Sequence, residues 1–499
     1  MIDLRMLPEP PLEFRYTQPV SDPRDGLSIF GAFDADMPGH RRNVSWGLVG
    51  TPRGTDAFKA LTKRLQSAAM PPEGRSAALW PMFPGFEPAF GCVLPEEPTL
   101  ERIVDEDALL AEAIQKDEHK RAAAVVERYL DAIAAFERHD DPVDVIVCVV
   151  PDLVYKNCRP LSRVPFGSGE RMAAKDVRVR KAGQTGLFDD TSPDVFLYSV
   201  DFRRQIKARA MKYGIPIQIV RESTLRLSDE YKFGERSLTP LCDRAWNLGV
   251  ALYYKAGGKP WRLSTARPGV CYLGLAYRRR DPSSDSPVAA CAAQMFLDSG
   301  DGIVFMGEFG PWYSPERNQY HLSYDGARDL LTGALDTYKE LGGQPLTELF
   351  LHARSGLNAD EFAGFQEACP EGVRLIGVRV RQERFDVRLF REGHLPVVRG
   401  TYWRVSDRTA FLWTTGYKPR LGTYDGWETP LPLQIDVQHG EADLDQVVSD
   451  IFGLTKLNYN ACRLGEVEPV TVGFSDAVGE ILVANPNVKD RKAKFKFYI

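Results

Sequence analysis

Two basic side chains and an amide in the middle of the chain have the types and spacing of a phosphate-binding pocket. Arg203 and Lys207 lie four residues apart in DFRRQIK, so a helix would place both on one face. Gln218 lies at the end of the next apolar stretch, GIPIQIV, and Lys255 precedes the double glycine of NLGVALYYKAGG. Cations and an amide that converge from separate elements bind phosphate through charge-assisted hydrogen bonds. Spacing alone leaves a second interpretation open, in which these are solvated side chains on helix surfaces.

The last residues, KDRKAKFKFYI, alternate in polarity. Phe495, Phe497 and Ile499 alternate with Lys494 and Lys496, which predicts a strand with one apolar and one basic face. We expect this segment to dock onto the rest of the protein, with the carboxylate of Ile499 as a candidate ligand. An ordinary edge strand is the alternative.

The surrounding pattern predicts an α/β fold that would position these side chains. The continuous apolar run VDVIVCVVP, from residue 143, is typical of a strand buried on both faces. A strand VFLYSV, a helix over 201–213, a strand IPIQIV and a helix over 238–256 follow, and this alternation predicts a small parallel α/β unit. From residue 260 the pattern predicts three strands, helix, strand, helix and strand, which is the order of a ribonuclease H-like fold.

The first 140 residues have a less regular pattern. The segments LEFRYTQ, GLSIFGAFD and NVSWGLVG predict extended structure, and a helix is expected over 56–68. Apolar residues at three- and four-residue steps predict one long helix over 104–138. The polar and basic stretch 168–192 predicts a surface loop.

The composition excludes a collagen-like, a coiled-coil and a wholly disordered protein. The chain has 499 residues, of which 43% are hydrophobic and 26% charged, as in a soluble globular protein of two to four domains. The net charge of −5 means that any nucleic-acid site must be a local groove. The sequence has neither a long apolar run nor a signal-peptide pattern, and its eight cysteines form no CxxC pair. We therefore expect a cytoplasmic protein with free thiols.

Three stretches of the chain resemble short prokaryotic Argonautes, which consist of MID and PIWI domains without a PAZ domain. The opening EPPLEFRYTQPVSDPRDGLSIFGAFD, with FPGF at 83–86, resembles the N-terminal part of that family. The series RRQIK, GIPIQ and NLGVALYYKAGG resembles the MID phosphate motif, and LTKLNYN, PVTVGFSDAVGEIL and FYI resemble the PIWI C-terminus. The resemblance implies an α+β N-terminal linker and partner-docking layer over 1–140, a Rossmann-like MID domain over 141–260 and a ribonuclease H-like PIWI domain over 261–499.

In the MID domain, the resemblance implies a pocket for the 5′ phosphate of a guide strand. Lys207, Gln218 and Lys255 match the lysine, glutamine and later lysine of the family motif. Arg203 stands where many relatives have tyrosine or histidine, so it is expected to contact phosphate rather than to stack on the first base. Thr224 is expected to make a further polar contact.

The resemblance implies one divalent cation at the guide 5′ end but no catalytic metal pair. The carboxylate of Ile499 would help to coordinate Mg²⁺, a hard cation that prefers oxygen ligands. Two-metal cleavage needs three or four carboxylate or histidine ligands on fixed strands. Ala276 stands where the first aspartate is expected, Ser355 lies in a stretch without the later acid, and only Asp476 falls at a ligand position. We therefore predict that the cleavage site is inactive, and we interpret Glu308 as an exposed carboxylate.

The resemblance also implies a channel that grips the nucleic-acid backbone. Basic and amide side chains suit an A-form guide–target duplex, which proteins contact through phosphates and 2′-hydroxyls. The candidate contacts are Arg278, Arg279, Arg280, His352, Arg354, Lys456, Asn458 and Asn460. A solvated surface role is the alternative for each of them, and for the basic loop residues Arg178, Arg180 and Lys181.

The function that the resemblance implies is that of a guide-RNA-directed sensor of single-stranded DNA in prokaryotic immunity against plasmids and phages. Such a chain does no chemistry itself. Target binding activates an effector of the TIR, sirtuin-like or nuclease type on an APAZ-containing partner protein. The alternatives are an active guide-directed endonuclease and an unrelated phosphate-binding α/β enzyme.

Overall fold

The computed structural model describes residues 2–160, 162, 164, 193–229, 238–279, 288–296, 302–382, 386–424, 426, 428–484 and 491–499. Among the helices in these ranges, none has both the length and the apolar character needed to cross a membrane. All eight cysteines are free thiols, as predicted.

The strands in the described ranges are β1 Asp3–Met6, β2 Leu12–Glu13, β3 Pro19–Val20, β4 Trp46–Gly50, β5 Leu100–Ile103, β6 Val145–Val150, β7 Ile217–Arg221, β8 Arg262–Leu263, β9 Val270–Arg279, β10 Ala289–Phe296, β11 Gly302–Gly310, β12 Tyr313–Ser314, β13 Gln319–Tyr320, β14 Glu348–Ala353, β15 Arg374–Gln382, β16 Thr401–Arg404, β17 Thr409–Leu412 and β18 Leu433–His439.

The α-helices in the same ranges are α1 Pro23–Ile29, α2 Pro52–Arg64, α3 Phe86–Phe90, α4 Glu106–Glu112, α5 Glu118–Glu137, α6 Asp152–Asn157, α7 Phe202–Ala210, α8 Leu241–Lys255, α9 Tyr324–Glu340, α10 Ala359–Ala368, α11 Leu444–Leu454, α12 Val470–Gly473 and α13 Ser475–Ala484.

The larger of the two main sheets has nine strands in the order β1-β16-β17-β18-β15-β14-β9-β10-β11. Within it, β9, β10 and β11 form an antiparallel meander, and β14 and β15 lie parallel to β9. The core strands β9, β10 and β14 are nearly continuous apolar runs because helices cover both faces of the sheet. This is the ribonuclease H-like order that the sequence predicted.

Two layers enclose this sheet. On one face, α9 and α10 bury a cluster that includes Leu273, Leu331 and Phe365. On the other face, α12 and α13 approach β9 so closely that a Cβ on Gly274 would lie 1.9 Å from the carbonyl oxygen of Thr471. Only glycine permits this approach, and it brings the C-terminal helices against the strand that contains Ala276.

The second main sheet has four parallel strands in the order β5-β4-β6-β7, which is Rossmann-like. Strands β4 and β5 belong to the first 140 residues, and β1 joins the nine-stranded sheet. The boundary predicted at residue 141 therefore divides a sheet. The prediction of a separate N-terminal layer is wrong in this respect, because its strands are integral to both sheets.

Helix capping explains two differences from the sequence prediction. The expected long helix over 104–138 is two helices, because the side chain of Asp117 accepts hydrogen bonds from the backbone of His119 and Lys120 and so begins α5. The segment GLSIFGAFD is not extended at its start, because Asp22 caps α1 and Pro23 occupies its first turn.

Two predicted strands are short 3₁₀ helices instead. The described part of VFLYSV lies in a 3₁₀ helix over Pro193–Leu197, and the C-terminal segment forms one over Phe495–Phe497. Phe495 packs edge-on against both Phe296 and Phe474. Tertiary packing therefore buries this apolar side chain without a strand, while the predicted docking of the segment is correct.

Candidate functional site

Helix α7 positions Arg203 and Lys207 at the centre of the candidate site. Asp201 begins the helix, and its carboxylate accepts hydrogen bonds from the backbone N–H of Arg203 and Arg204, at 2.9 and 3.3 Å. One turn later the Lys207 side chain turns inward and is only 9% exposed. Its Nζ donates a hydrogen bond to the carbonyl oxygen of Tyr498, at 3.1 Å. The structure thus joins the predicted helix motif to the C-terminal segment.

Gln218 and Lys255 meet beneath the same region. Lys255, at the end of α8, is 1% exposed. Its Nζ donates hydrogen bonds to the Oε1 of Gln218 at 2.6 Å and to the carbonyl oxygen of Ile217 at 3.1 Å. The two residues that the sequence motif pairs are therefore direct partners.

Burial makes both lysines unusually weak bases. Burial, together with the nearby charge of Arg203, lowers the pKa of Lys207 to about 7. Burial also lowers the pKa of Lys255 well below its usual value, with the charges of Lys207 and Arg203 as additional causes. A negative charge bound here would stabilise the protonated amines, so the site favours an anion.

A cavity of about 190 Å³ opens beside Lys207. Four parts of the chain line it. They are a residue that follows α6, helix α7 with the residue before it, helix α13, and the C-terminal segment. The lining residues are Arg159, Asp201, Arg203, Arg204, Lys207, Ala477, Glu480, Ile481 and Tyr498. The cavity is large enough for a phosphate group and carries more cationic than anionic side chains.

Arg159 and Arg204 are the lining cations that sequence reasoning missed. Arg204 had a signal, because it adjoins Arg203 within the RRQIK motif. Arg159 had none, since it lies 44 positions before Arg203 and only the tertiary structure brings the two together.

Glu480 of α13 links the cavity to the nine-stranded sheet. Its carboxylate binds Arg204 of α7 at 2.6 Å and also accepts a hydrogen bond from Arg278 of β9. Arg278 therefore contacts this acid at the base of the site. The prediction that Arg278 contacts a nucleic-acid backbone stays a prediction.

Four predicted members of the site do not line this cavity, namely Gln218 and Lys255, which are bonded to each other, and Thr224 and Ile499. Thr224 lies in a 3₁₀ helix over Glu222–Leu225, where its carbonyl oxygen accepts a hydrogen bond from Arg244 at 2.8 Å. Ile499 is buried, and its neighbour Tyr498 is the residue that faces the cavity. Thr224 is therefore not part of this cavity, and the role of the Ile499 carboxylate as a metal ligand stays a prediction.

His352 and Lys456 are buried, contrary to their prediction as accessible channel contacts. His352 Nδ1 lies 2.9 Å from the hydroxyl of Thr471, and burial lowers the pKa of this histidine to about 3. Lys456 Nζ donates hydrogen bonds to Glu9 at 2.8 Å and to the carbonyl oxygen of Ser21 at 2.6 Å. Burial lowers its pKa to about 8. Both side chains connect internal elements, because His352 faces the core from β14 and Lys456 faces it from the turn that follows α11.

The other channel candidates keep some exposure. Arg279 stacks over Tyr313, with its guanidinium carbon 4.2 Å from the ring centroid. Arg354 forms an ion pair with Glu468 at 2.6 Å. Asn458 Nδ2 donates to Glu466 at 2.7 Å, and Asn460 is exposed. Arg280 and the basic loop residues Arg178, Arg180 and Lys181 lie outside the described residues.

The positions of the expected catalytic acids lie near one another in the fold. Ala276 is buried in β9 opposite Ala292 of β10, and Ser355 follows β14. Asp476 belongs to α13, but its side chain and that of Glu308 lie outside the part described. Among the described side chains, no group of three or more His, Cys, Asp and Glu residues is arranged to hold a metal ion.

A larger cavity, of about 690 Å³, is lined in part by residues 463–467, which follow the LTKLNYN segment in the chain. Its lining combines aromatic, basic and acidic side chains, including Trp80, Lys418, Tyr424, Arg463 and Glu466. Aromatic and basic side chains together are typical of surfaces that bind single-stranded nucleic acid. Sequence reasoning missed this cavity because its walls come from regions far apart in the chain.

The fold is similar to solved structures of Argonaute proteins. Clostridium butyricum Argonaute bound to a guide DNA and a 19-mer target DNA matches with a TM-score of 0.63 and 16% identity, over 100% of this chain and 55% of that chain. Aa-Ago with externally bound siRNA matches at 0.56 and 14%, over 99% and 56%. A. aeolicus Argonaute matches at 0.55 and 14%, over 96% and 54%.

These matches establish the fold class of the chain, which is the MID–PIWI fold of Argonautes. The chain spans about half the length of the Argonaute chains that it matches. No protein-family model and no curated protein sequence matches it.

Proposed function

We propose that this chain binds a small 5′-phosphorylated guide RNA and uses it to recognise single-stranded DNA. The observation that carries the proposal is Lys207, a buried amine that faces a cationic cavity within an Argonaute fold. The 5′ phosphate would enter this cavity and contact Lys207, Arg203 and Arg204. Lys255 does not line the cavity and would act on the phosphate through its charge and through its hydrogen bond to Gln218.

The physical case for phosphate is stronger than the case for a neutral ligand. The cavity contains three arginines and a lysine against two acids, and one of those acids, Glu480, already binds Arg204. A phosphate dianion supplies the charge that raises the lowered pKa of Lys207, so binding and protonation favour each other. Charge-assisted hydrogen bonds to phosphate are also stronger than neutral ones.

We further propose that the chain does not cut its target. Ala276 at the first ligand position and Ser355 near the later one support this proposal. Recognition without cleavage is consistent with a sensor whose output comes from another protein. The proposed partner carries an APAZ region and an effector of the TIR, sirtuin-like or nuclease type, and it acts in immunity against plasmids and phages.

A Mg²⁺ ion at the guide 5′ end remains part of the proposal. The carboxylate of Ile499 would be a ligand together with guide phosphate oxygens, because hard cations prefer oxygen. Extending the chain beyond Ile499 by a short Gly-Ser segment should then weaken guide binding in Mg²⁺ but not in EDTA. Equal affinities of the extended and unextended chains in Mg²⁺ would remove Ile499 from the site.

The first test of guide binding compares ligands that differ only at the 5′ end. We expect a 5′-phosphorylated RNA of about 20 nucleotides to bind at least about tenfold more tightly than the same RNA with a 5′ hydroxyl, because the latter lacks the charged group. Fluorescence anisotropy with a 3′ label measures both. Equal affinities would contradict the pocket assignment, and tight binding of free nucleotides without a preference for oligonucleotides would favour an α/β enzyme.

The second test concerns cleavage. The RNA-loaded chain should leave a complementary, labelled DNA strand intact in Mg²⁺ and in Mn²⁺. Metal-dependent cleavage that disappears in Asp476→Ala would instead establish an active endonuclease. Nucleic acid co-purified with the chain and its partner, typed with ribonuclease and deoxyribonuclease, identifies the guide independently of both tests.

A further inference from the structure

The two edges of the nine-stranded sheet differ in whether another segment of the chain covers them. At one edge, the C-terminal segment covers the beginning of β11, where the N–H of Val304 donates to the carbonyl oxygen of Ala493 at 2.6 Å. At the other edge lies β1, and no described strand pairs with its outer side. An uncovered edge presents unpaired backbone groups to another chain.

Next to this open edge, one face of β1 exposes apolar side chains. Ile2, Leu4 and Met6 are 69%, 46% and 67% exposed. The N–H of Leu7 donates to Gly400 of the neighbouring segment, so Asp3 and Arg5 direct their backbone groups towards β16 by alternation. The backbone groups of the three apolar residues therefore point to the open edge.

The sequence of this edge is complementary to itself. Reading Ile2-Asp3-Leu4-Arg5-Met6 in the opposite direction exchanges the acid with the base and one apolar end with the other. If two copies pair antiparallel with Leu4 opposite Leu4, each Asp3 faces an Arg5, and each Ile2 faces a Met6. Opposite charges on facing positions stabilise a strand pair, and like charges destabilise it.

Only one register satisfies both the backbone and the charges. The outward backbone groups require even-numbered residues to face even-numbered residues. A shift that sets Leu4 opposite Met6 brings Arg5 against Arg5, and a shift that sets Ile2 opposite Leu4 brings Asp3 against Asp3. The side chains of Asp3 and Arg5 pair with each other within the chain at 2.8 Å, but they are 44% and 41% exposed and are therefore accessible to a second copy.

We propose that β1 is a homodimerisation strand, which pairs with β1 of a second copy of this chain about a two-fold axis at Leu4. The two nine-stranded sheets would then become one continuous sheet. Symmetric pairing of identical surfaces closes after two copies, so the product is a dimer rather than a fibre. The inference does not depend on guide binding, and a strand interface of this size predicts weak, concentration-dependent association.

Charge reversal and charge exchange test the pairing. Sedimentation equilibrium of the full, nucleic-acid-free chain without purification tags, from about 1 to about 300 µM at low salt, spans the range expected for a small interface. We expect a monomer–dimer equilibrium for the parent chain. Arg5→Glu and Asp3→Lys, each alone, should weaken it about tenfold or more, because each places like charges opposite each other twice.

The exchange variant, Asp3→Arg with Arg5→Asp, restores opposite charges at the facing positions and should restore the dimer. Asp445→Asn is the matched control, because it removes the ion pair between Arg5 and Asp445 within the chain but leaves the facing Asp3 and Arg5 charges of the strand pair intact. Circular dichroism confirms that each variant is folded. A parent chain that stays monomeric throughout, or an exchange variant that stays as weak as the single reversals, would overturn the proposal.

Discussion

At the scale of single residues, the candidate site is defined by amines that are buried before any ligand is present. A solvated lysine on a helix surface would keep its usual pKa and would gain little from a nearby phosphate. Lys207 and Lys255 differ because the protein has already removed them from water, and neither has a carboxylate partner within hydrogen-bonding distance among the contacts described. The second interpretation of the motif, as solvated side chains on helix surfaces, is therefore wrong for these two residues.

The lowered pKa of Lys207 predicts a pH dependence of guide binding. Its pKa is about 7 in the free chain, so the amine loses its proton as the pH rises above 7. Phosphate favours the protonated form, and binding therefore takes up a proton and weakens by up to about tenfold per pH unit above pH 7. The second ionisation of a phosphate monoester, with a pKa near 6, is complete in this range.

Anisotropy titrations from about pH 7 to about pH 8.5 at constant ionic strength measure this effect. The matching RNA with a 5′ hydroxyl corrects for other titrating groups. Lys207→Met keeps the length of the side chain but has no proton to lose, so its profile should be flatter. A parent chain and a Lys207→Met variant with the same slope would show that another group is responsible.

Removal of both buried amines should abolish the preference for a 5′ phosphate. In the variant Lys207→Met with Lys255→Met, two charged interactions are lost, each of about 1.5–3 kcal/mol, so affinity should fall at least about 100-fold. Lys339→Met is the control, because Lys339 is an exposed lysine on α9. The fall should be confined to 5′-phosphorylated RNA, and an equal fall for 5′-hydroxyl RNA would indicate a general folding defect.

At the scale of elements, α13 holds the two sheets together at the site. Its Glu480 binds α7, which packs on the parallel sheet, and β9, which belongs to the nine-stranded sheet. The same carboxylate neutralises Arg204 in the cavity, so this link and anion binding oppose each other electrostatically.

Glu480→Gln should therefore change stability and affinity in opposite directions. The variant should melt at a lower temperature, because two ion pairs are lost. It should bind 5′-phosphorylated RNA about three- to tenfold more tightly at low salt, because two guanidinium groups are no longer neutralised. Scanning calorimetry and salt-dependent anisotropy measure the two effects. Glu468→Gln, which breaks one ion pair with Arg354 outside the cavity, is the matched control. Unchanged affinity in Glu480→Gln would show that Arg204 does not contact the guide.

Most elements were predictable because the periodicity of apolar residues within each element indicates which side chains are buried. The three strands, helix, strand, helix and strand predicted from residue 260 are β9, β10, β11, α9, β14, α10 and β15, with the short strands β12 and β13 inserted before α9. The failures have tertiary causes. Phe495 and Phe497 alternate like strand residues, but both are buried in a 3₁₀ turn, where Phe495 packs against the ring of Phe296.

At the scale of the whole molecule, the first 140 residues complete both sheets. They supply β4 and β5 to the parallel sheet and β1 to the nine-stranded sheet. A fragment of residues 141–499 should therefore be insoluble or lack a cooperative thermal transition, because β6 would lose its partner β4 and its covering helix α2. Co-expression of residues 1–140 as a second chain should recover soluble material. A fragment that melts cooperatively by itself would contradict the description of one continuous architecture.

The sequence by itself determined most classes of element, the ribonuclease H-like order of elements along the chain and the residues that we propose bind phosphate. These follow from local periodicity and from side-chain chemistry at short spacing. Only the tertiary structure decided that Arg159 joins the cavity, that Thr224 does not, and that His352 and Lys456 are buried. It also decided that the N-terminal strands belong to both sheets. The physical reason is that burial and long-range contact depend on which distant segments pack together, and local sequence carries no distance information about them.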